Sequence, residues 1–135
     1  MEGVDRVPKD GVLHCAAWRA WLEREALPSA SAGIGVLLRE DFARGCGTLL
    51  VWRIDGEDVH VALREHRGGF DPDVALVLVG DAETLGDLLA HGVAQMRSLV
   101  RRGRLQPYML KTLDELDDAG LADFVEDLGL VFPRH

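Results

Sequence analysis

Apolar residues first recur at helical spacing near the start of the chain. Cys15, Trp18, Leu22 and Ala26 hold one face, with Trp21 beside them, and Pro28 closes the stretch, so the pattern predicts a helix from Asp10 to Ala26. The connection from Pro28 to Gly33 is too short to separate domains. The pattern then turns to strands. Ile34 to Glu40 is short and mostly apolar, and Thr48 to Ile54 is richer still. Asp55-Gly56 tolerates the positive φ of a two-residue hairpin turn. With that loop, Ile54 pairs with Glu57, Trp52 with Val59 and Leu50 with Val61 on one face. On the other, Arg53 lies opposite Asp58 and Val51 opposite His60.

Further along, Glu65 to Asp73 carries Gly68-Gly69 and Asp71-Pro72 and predicts a loop. Val74 to Val79 is a continuous apolar run suited to a strand buried on both faces. Asp81 follows as a good N-cap, and Glu83 favours the positive end of the next helix. In that helix, the longest expected, Leu85, Leu88, Leu89, Gly92, Val93, Met96, Leu99 and Val100 form one stripe. Gly92 can break or kink it, and Gly103 ends it. Leu105 to Tyr108 fits either a short strand or a turn around Pro107. Leu110, Leu113 and Leu116 suggest one more helix; Leu121, Phe124, Val125 and Leu128 suggest another, ended by Gly129. The order predicts an α+β fold, a mainly antiparallel sheet of four to five strands covered by helices on one face, in a single domain over residues 1–135.

Composition agrees with a folded domain that needs no covalent staple. The 135 residues are 47% hydrophobic and 28% charged, and a chain of this size buries about 68–70% of its unfolded surface. Cys15 and Cys46 are too far apart and too few for a disulfide framework. The polar start, Met1 to Gly11, does not resemble a signal peptide, and no apolar run approaches the ~20 residues of a membrane span, so a cytoplasmic location is expected. Only Lys9 and Lys111 among the fifteen cationic residues are lysine, a usage typical of GC-rich bacterial genomes. A net charge of −8 disfavours nucleic acid, whose binding depends on cations replacing counterions, and disfavours an anionic membrane surface.

Charge also narrows the chemistry. Histidines 14, 60, 66, 91 and 135 have no His or Cys at metal-ligand spacing. Asp71-Pro72-Asp73 lacks the glycine and later glutamate of a calcium loop. The acidic run Asp114, Glu115, Asp117 and Asp118 fits the solvated face of a helix. Gly33-Ile34-Gly35 and Gly45-Cys46-Gly47 lack the following helix that a phosphate loop needs, and Ser29 and Ser31 lie in no nucleophile elbow. Cys46, beside Arg44, has no His or Asn placed by the sequence to complete a mechanism. No catalytic residue, metal ligand or cofactor is assigned, and a non-enzymatic role is expected. Arg97, Arg101, Arg102 and Arg104 complement the C-terminal dipole of their helix; alternatively, Arg97, Arg101 and Arg104 contact an anionic ligand.

Three features together resemble the sterol carrier protein 2 family over about residues 33–116. Strands lead into an apolar strand ending in Gly80-Asp81, a helix with Leu85, Leu88, Leu89 and Gly92 follows, and Gly103-Arg104-Leu105 precedes the last strand. The resemblance implies a five-stranded sheet and helices enclosing an apolar tunnel, without catalysis. Trp52, Met96, Leu99, Met109 and Leu113 are the residues expected to line it. Two functions follow as expectations: a non-enzymatic binder of an apolar or lipid-like small molecule, or a protein-interaction module that self-associates as a homodimer with no small-molecule ligand.

Overall fold

In the computed structural model, which describes residues 12–25 and 27–128, the chain runs α1 (Cys15–Glu25), β1 (Gly33–Leu38), α2 (Arg39–Arg44), β2 (Gly47–Asp55), β3 (Asp58–His66), β4 (Val74–Gly80), α3 (Ala82–Ala90), α4 (Val93–Arg101), β5 (Gln106–Met109), α5 (Leu113–Ala119) and α6 (Ala122–Asp127). The fold is α+β. The strands form one open sheet in the order β3-β2-β1-β4-β5.

The apolar runs take the centre because every residue of β1 and β4 is buried. They pair in parallel, whereas β1/β2, β2/β3 and β4/β5 are antiparallel. The sheet is therefore mixed rather than mainly antiparallel. After β3 the chain does not make another hairpin; it crosses through residues 67–73 and adds β4 on the far side of β1, where both faces of an all-apolar strand can be covered. Segment 105–108, open between strand and turn, contributes β5. Pro107 suits this edge: Leu110 N–H donates inward to the Ala75 carbonyl, so by alternation the position of Pro107 faces away from β4 and loses no sheet bond.

One face of the sheet carries the main core. Ile34, Val36, Leu50, Trp52, Leu76 and Leu78 meet Trp18, Trp21 and Leu22 of α1, Leu85 and Leu88 of α3, Met96 and Leu99 of α4, Leu116 of α5, and Phe124 and Val125 of α6. Trp52 stacks on Trp18 at 5.7 Å between ring centroids, and Trp21 meets both edge-on at 5.6 and 6.2 Å. The opposite face carries Leu37, Leu49, Val51, Val74, Val77 and Val79, covered in part by Phe42 of α2 and Phe70 of the crossover. Helices therefore lie on both faces, not one. Residues 39 and 40, expected to extend the first strand, instead begin α2, where Glu40 and Asp41 suit the positive end of the helix and Gly45, at φ +80°, ends it.

Other elements shift at their ends. The expected first helix begins at Cys15; its proposed ends, Asp10 and Ala26, lie outside the described residues, as does Gly129. The hairpin loop is Gly56-Glu57, one position later than expected, so Ile54 pairs with Val59, Trp52 with Val61, Val51 with Ala62 and Arg53 with His60. The pairing slides by two residues, which keeps every side chain on its expected face. The long helix is broken at His91-Gly92 into α3 and α4. Glu25 of α1 accepts the Val93 backbone N–H at 2.8 Å and so caps α4 from a distant segment. Asp81 caps α3 as expected, accepting the Thr84 N–H at 2.8 Å. Leu110 lies before α5, which starts at Leu113 under a capping box of Thr112 and Glu115.

Candidate functional site

Small residues let the neighbouring strands' side chains close over part of the second face, Val51 over Gly33 and Leu49 over Gly35. Positions 33, 35 and 37 of β1 point that way, and two of them are glycine. Beside Gly33, β2 presents Val51 and Arg53, and β3 presents Ala62 opposite Val51 and His60 opposite Arg53. Phe42 and Phe70 cover the other end of this face, near Leu37 and Leu49. Between these covers and the edge of the sheet lies a groove of about 380 Å³ bordered by Gly33, Val51, Arg53, His60, Ala62, Arg64 and Asp73, with Arg19 at the outer rim. Small-molecule sites commonly span about 300–1,000 Å³. The groove falls within that range.

One wall of the groove is fixed by an ion pair. Arg64 donates from Nη1 and Nη2 to the two carboxylate oxygens of Asp73 at 2.9 and 2.7 Å, and also reaches Asp71 at 3.3 Å. This fork holds the crossover against β3. It raises the Arg64 pKa, chiefly through the hydrogen bonds to Asp73, and lowers that of Asp73, chiefly through the same bonds. Asp73 also accepts the Gly33 N–H through its backbone carbonyl at 2.7 Å, joining the crossover to the start of β1. Arg53 is different. It forms an ion pair with Asp55 at 3.8 Å, too long for a hydrogen bond, its charge also helps lower the Asp73 pKa, and its side chain is 39% exposed. His60 is exposed across from it. Arg19 reaches from α1 to donate to the Val59 carbonyl, a neutral acceptor on the outer edge of β3.

The residues expected to line a tunnel lie on the opposite side. Trp52 is 2% exposed, Met96 and Leu99 are fully buried, and all three belong to the same packed core, with Met109 partly buried against it. Leu113 is 45% exposed at the start of α5 and is not brought to the others. A crevice reaching Trp52 between Leu27, Ile34 and Phe124 has about 10 Å³, room for about one water molecule. The arginine cluster is divided. Arg104 pairs with Asp87 at 3.3 Å, and its carbonyl accepts a hydrogen bond from Arg39. Arg97 and Arg101 are exposed on α4 with no ion pair among the described residues.

Cys15 and Cys46 are free thiols. Beyond Cys46, Asp41 is buried, held by the Arg44 guanidinium and the Thr48 N–H, and His66 stacks on Phe70 with centroids 5.0 Å apart and its Nδ1 buried without a partner. No group of three His, Cys, Asp or Glu among the described residues could hold a metal ion. No described helix is long and apolar enough to cross a membrane.

The groove escaped the reading of the chain because it depends on register. Arg53 and His60 become neighbours only when the hairpin loop is Gly56-Glu57, and Asp73 joins them only through the crossover. The alternation of His60, Ala62 and Arg64 along β3 was the available signal. Fold and site define a class: a small α+β domain with an open mixed sheet and a cation-lined groove on the less covered face. No family model, curated protein or solved structure matches the chain.

Proposed function

We propose that this chain is a non-enzymatic binding domain for a small apolar or lipid-like molecule, held in the groove on the second face of the sheet. The observation that carries this is a groove of about 380 Å³ in which Val51 and the exposed Ala62 lie among mainly polar walls, the Arg64–Asp73 pair, Arg53 and His60. The element order supports the resemblance to sterol carrier protein 2. β4 ends at Gly80, Asp81 opens α3, and Gly103-Arg104-Leu105 leads into β5. That family's tunnel would lie on the helical side, where Trp52, Met96 and Leu99 pack; the present proposal puts the ligand on the other side. Protein purified without denaturant and extracted with solvent is expected to release a small molecule detectable by mass spectrometry. Ala62→Phe, at an exposed strand position, would fill the groove and abolish that release. Equal release from both proteins would refute the proposal.

A second reading rests on a different surface. Tyr108, Leu110 and Leu113 are 36–45% exposed and follow one another along β5 and into α5, an apolar edge that favours self-association as a homodimer. Sedimentation across a concentration series tests it. A concentration-dependent dimer lost in Leu110→Glu supports this reading, and a monomer throughout rejects it.

A further inference from the structure

We infer that the ligand of the groove carries a carboxylate, held by the guanidinium of Arg53, with its apolar body on Gly33, Val51 and Ala62. The inference rests on the groove being the ligand site, and adds the chemistry of the ligand.

The cations around the groove are not equally committed. Arg64 already holds a carboxylate, that of Asp73, by two nearly parallel bonds. It is neutralised, and it gives an internal example of the fork geometry a guanidinium offers to two oxygens. Arg53 projects on the same face from the neighbouring strand. It has five donors and no acceptor, its ion pair with Asp55 at 3.8 Å uses none of them in a hydrogen bond, and its side chain is partly exposed. Arg19 at the rim is bonded to a carbonyl, so its charge is also uncompensated by that contact. His60 stands opposite Arg53 and is a further donor. Arg53, whose ion pair with Asp55 is too long for a hydrogen bond, and Arg19, bonded to a carbonyl, flank a groove whose one lining carboxylate, Asp73, is forked by Arg64.

The remainder of the molecule sharpens the point. With a net charge of −8, the surface as a whole repels anions. A locally cationic groove in such a protein selects for an anion that can enter it and gain from the groove itself. Phosphate alone would gain from the charges but not from Val51 and Ala62. A neutral apolar molecule would gain from those two but leave Arg53 without an acceptor while covering it from water. A carboxylate on an apolar body uses both.

The test is a titration of the ¹⁵N-labelled full chain with benzoate, benzyl alcohol and inorganic phosphate, read at the backbone amides of Gly33, Val51, Arg53 and Ala62. Benzoate is expected to shift these four, and to bind roughly tenfold or more tightly than benzyl alcohol, as loss of a charged hydrogen bond implies. Arg53→Gln should reduce benzoate binding by a similar factor while leaving benzyl alcohol unchanged; an otherwise unaltered spectrum confirms that the variant is folded. Equal binding of benzoate and benzyl alcohol, or no effect of Arg53→Gln, would overturn the carboxylate while leaving the groove as a ligand site. Phosphate binding as well as benzoate would overturn the apolar body. No shift at the four amides with any probe would overturn both the carboxylate and the groove.

Discussion

Three carboxylates show what single side chains hold together, two of them across separate segments. The Glu25 pKa is lowered, chiefly because the Val93 N–H donates to its carboxylate, with further help from Arg24. Asp81 is lowered chiefly by the Thr84 backbone N–H, and Asp73 chiefly by Arg64. A carboxylate depressed in the folded state contributes stability that is fully present above its unfolded value, about 4, and is lost as the pH falls through the folded value. The thermal midpoint is therefore expected to fall as the pH drops below about 4, and Glu25→Gln should flatten that fall while costing about 1 kcal/mol at neutral pH. An acid profile identical in wild type and Glu25→Gln would mean that the cap contributes nothing. Gly47 is a second sensitive residue. It sits at φ +150°, and a Cβ there would lie 2.2 Å from the Asp41 carboxyl carbon. Gly47→Ala is expected to cost about 1–3 kcal/mol in denaturant unfolding, since the buried aspartate has no space to yield. At this scale sequence and structure agree where the signal is local. Asp81 was legible as a cap because its partner is three residues away. Glu25 was not, because its partner is on another helix. Thr112 and Glu115 stand at capping-box spacing, a local signal that the structure realises at the start of α5.

Elements were legible where periodicity decides them and displaced where a contact from elsewhere does. The apolar run from Val74 to Val79 could only be buried on both faces, and it is. The helix stripe from Leu85 to Val100 stays in phase, yet the element divides at Gly92, where the Glu25 carboxylate accepts the Val93 N–H and starts α4 afresh. α2 was missed because six residues are too few for helical spacing to show. The hairpin slid by two residues because Gly56 serves equally as the second residue of one loop or the first of the next. This register is directly measurable. Nuclear Overhauser contacts are expected between Arg53 and His60, and none between Arg53 and Asp58; the reverse pattern would remove His60 from beside Arg53. The crossover is held from two directions, by Phe70 packed on the second core and by Arg64 on Asp71 and Asp73. Since exposed ion pairs are worth about 0–1 kcal/mol, Arg64→Met should change global stability little. It should nonetheless speed hydrogen exchange at Gly33, whose N–H is bonded to Asp73. Unchanged exchange there would show that Phe70 alone fixes the segment.

The whole molecule places its chemistry on the less protected face. The helical side packs three tryptophans, Met96 and Leu99 into one core, while the other side is half covered by α2 and the crossover. That asymmetry was hidden from the chain, because alternation marks two faces of a strand without telling which one a later crossover will cover. The edges of the sheet are blunted differently, by Pro107 on β5 and by Arg19 on the Val59 carbonyl of β3. Strand-to-strand pairing between copies is thereby disfavoured, and the groove joins room for a ligand to the Arg53 guanidinium, which makes no hydrogen bond among the described residues. The most direct measurement returns the solvent-extracted ligand to ¹⁵N-labelled apo protein and maps the amide and indole shifts. Shifts centred on Gly33, Val51, Arg53 and Ala62, with the Trp18 and Trp21 indole signals unmoved, are predicted. Shifts centred instead on those two indoles and on Met96 and Leu99 would put the ligand between sheet and helices and contradict the account.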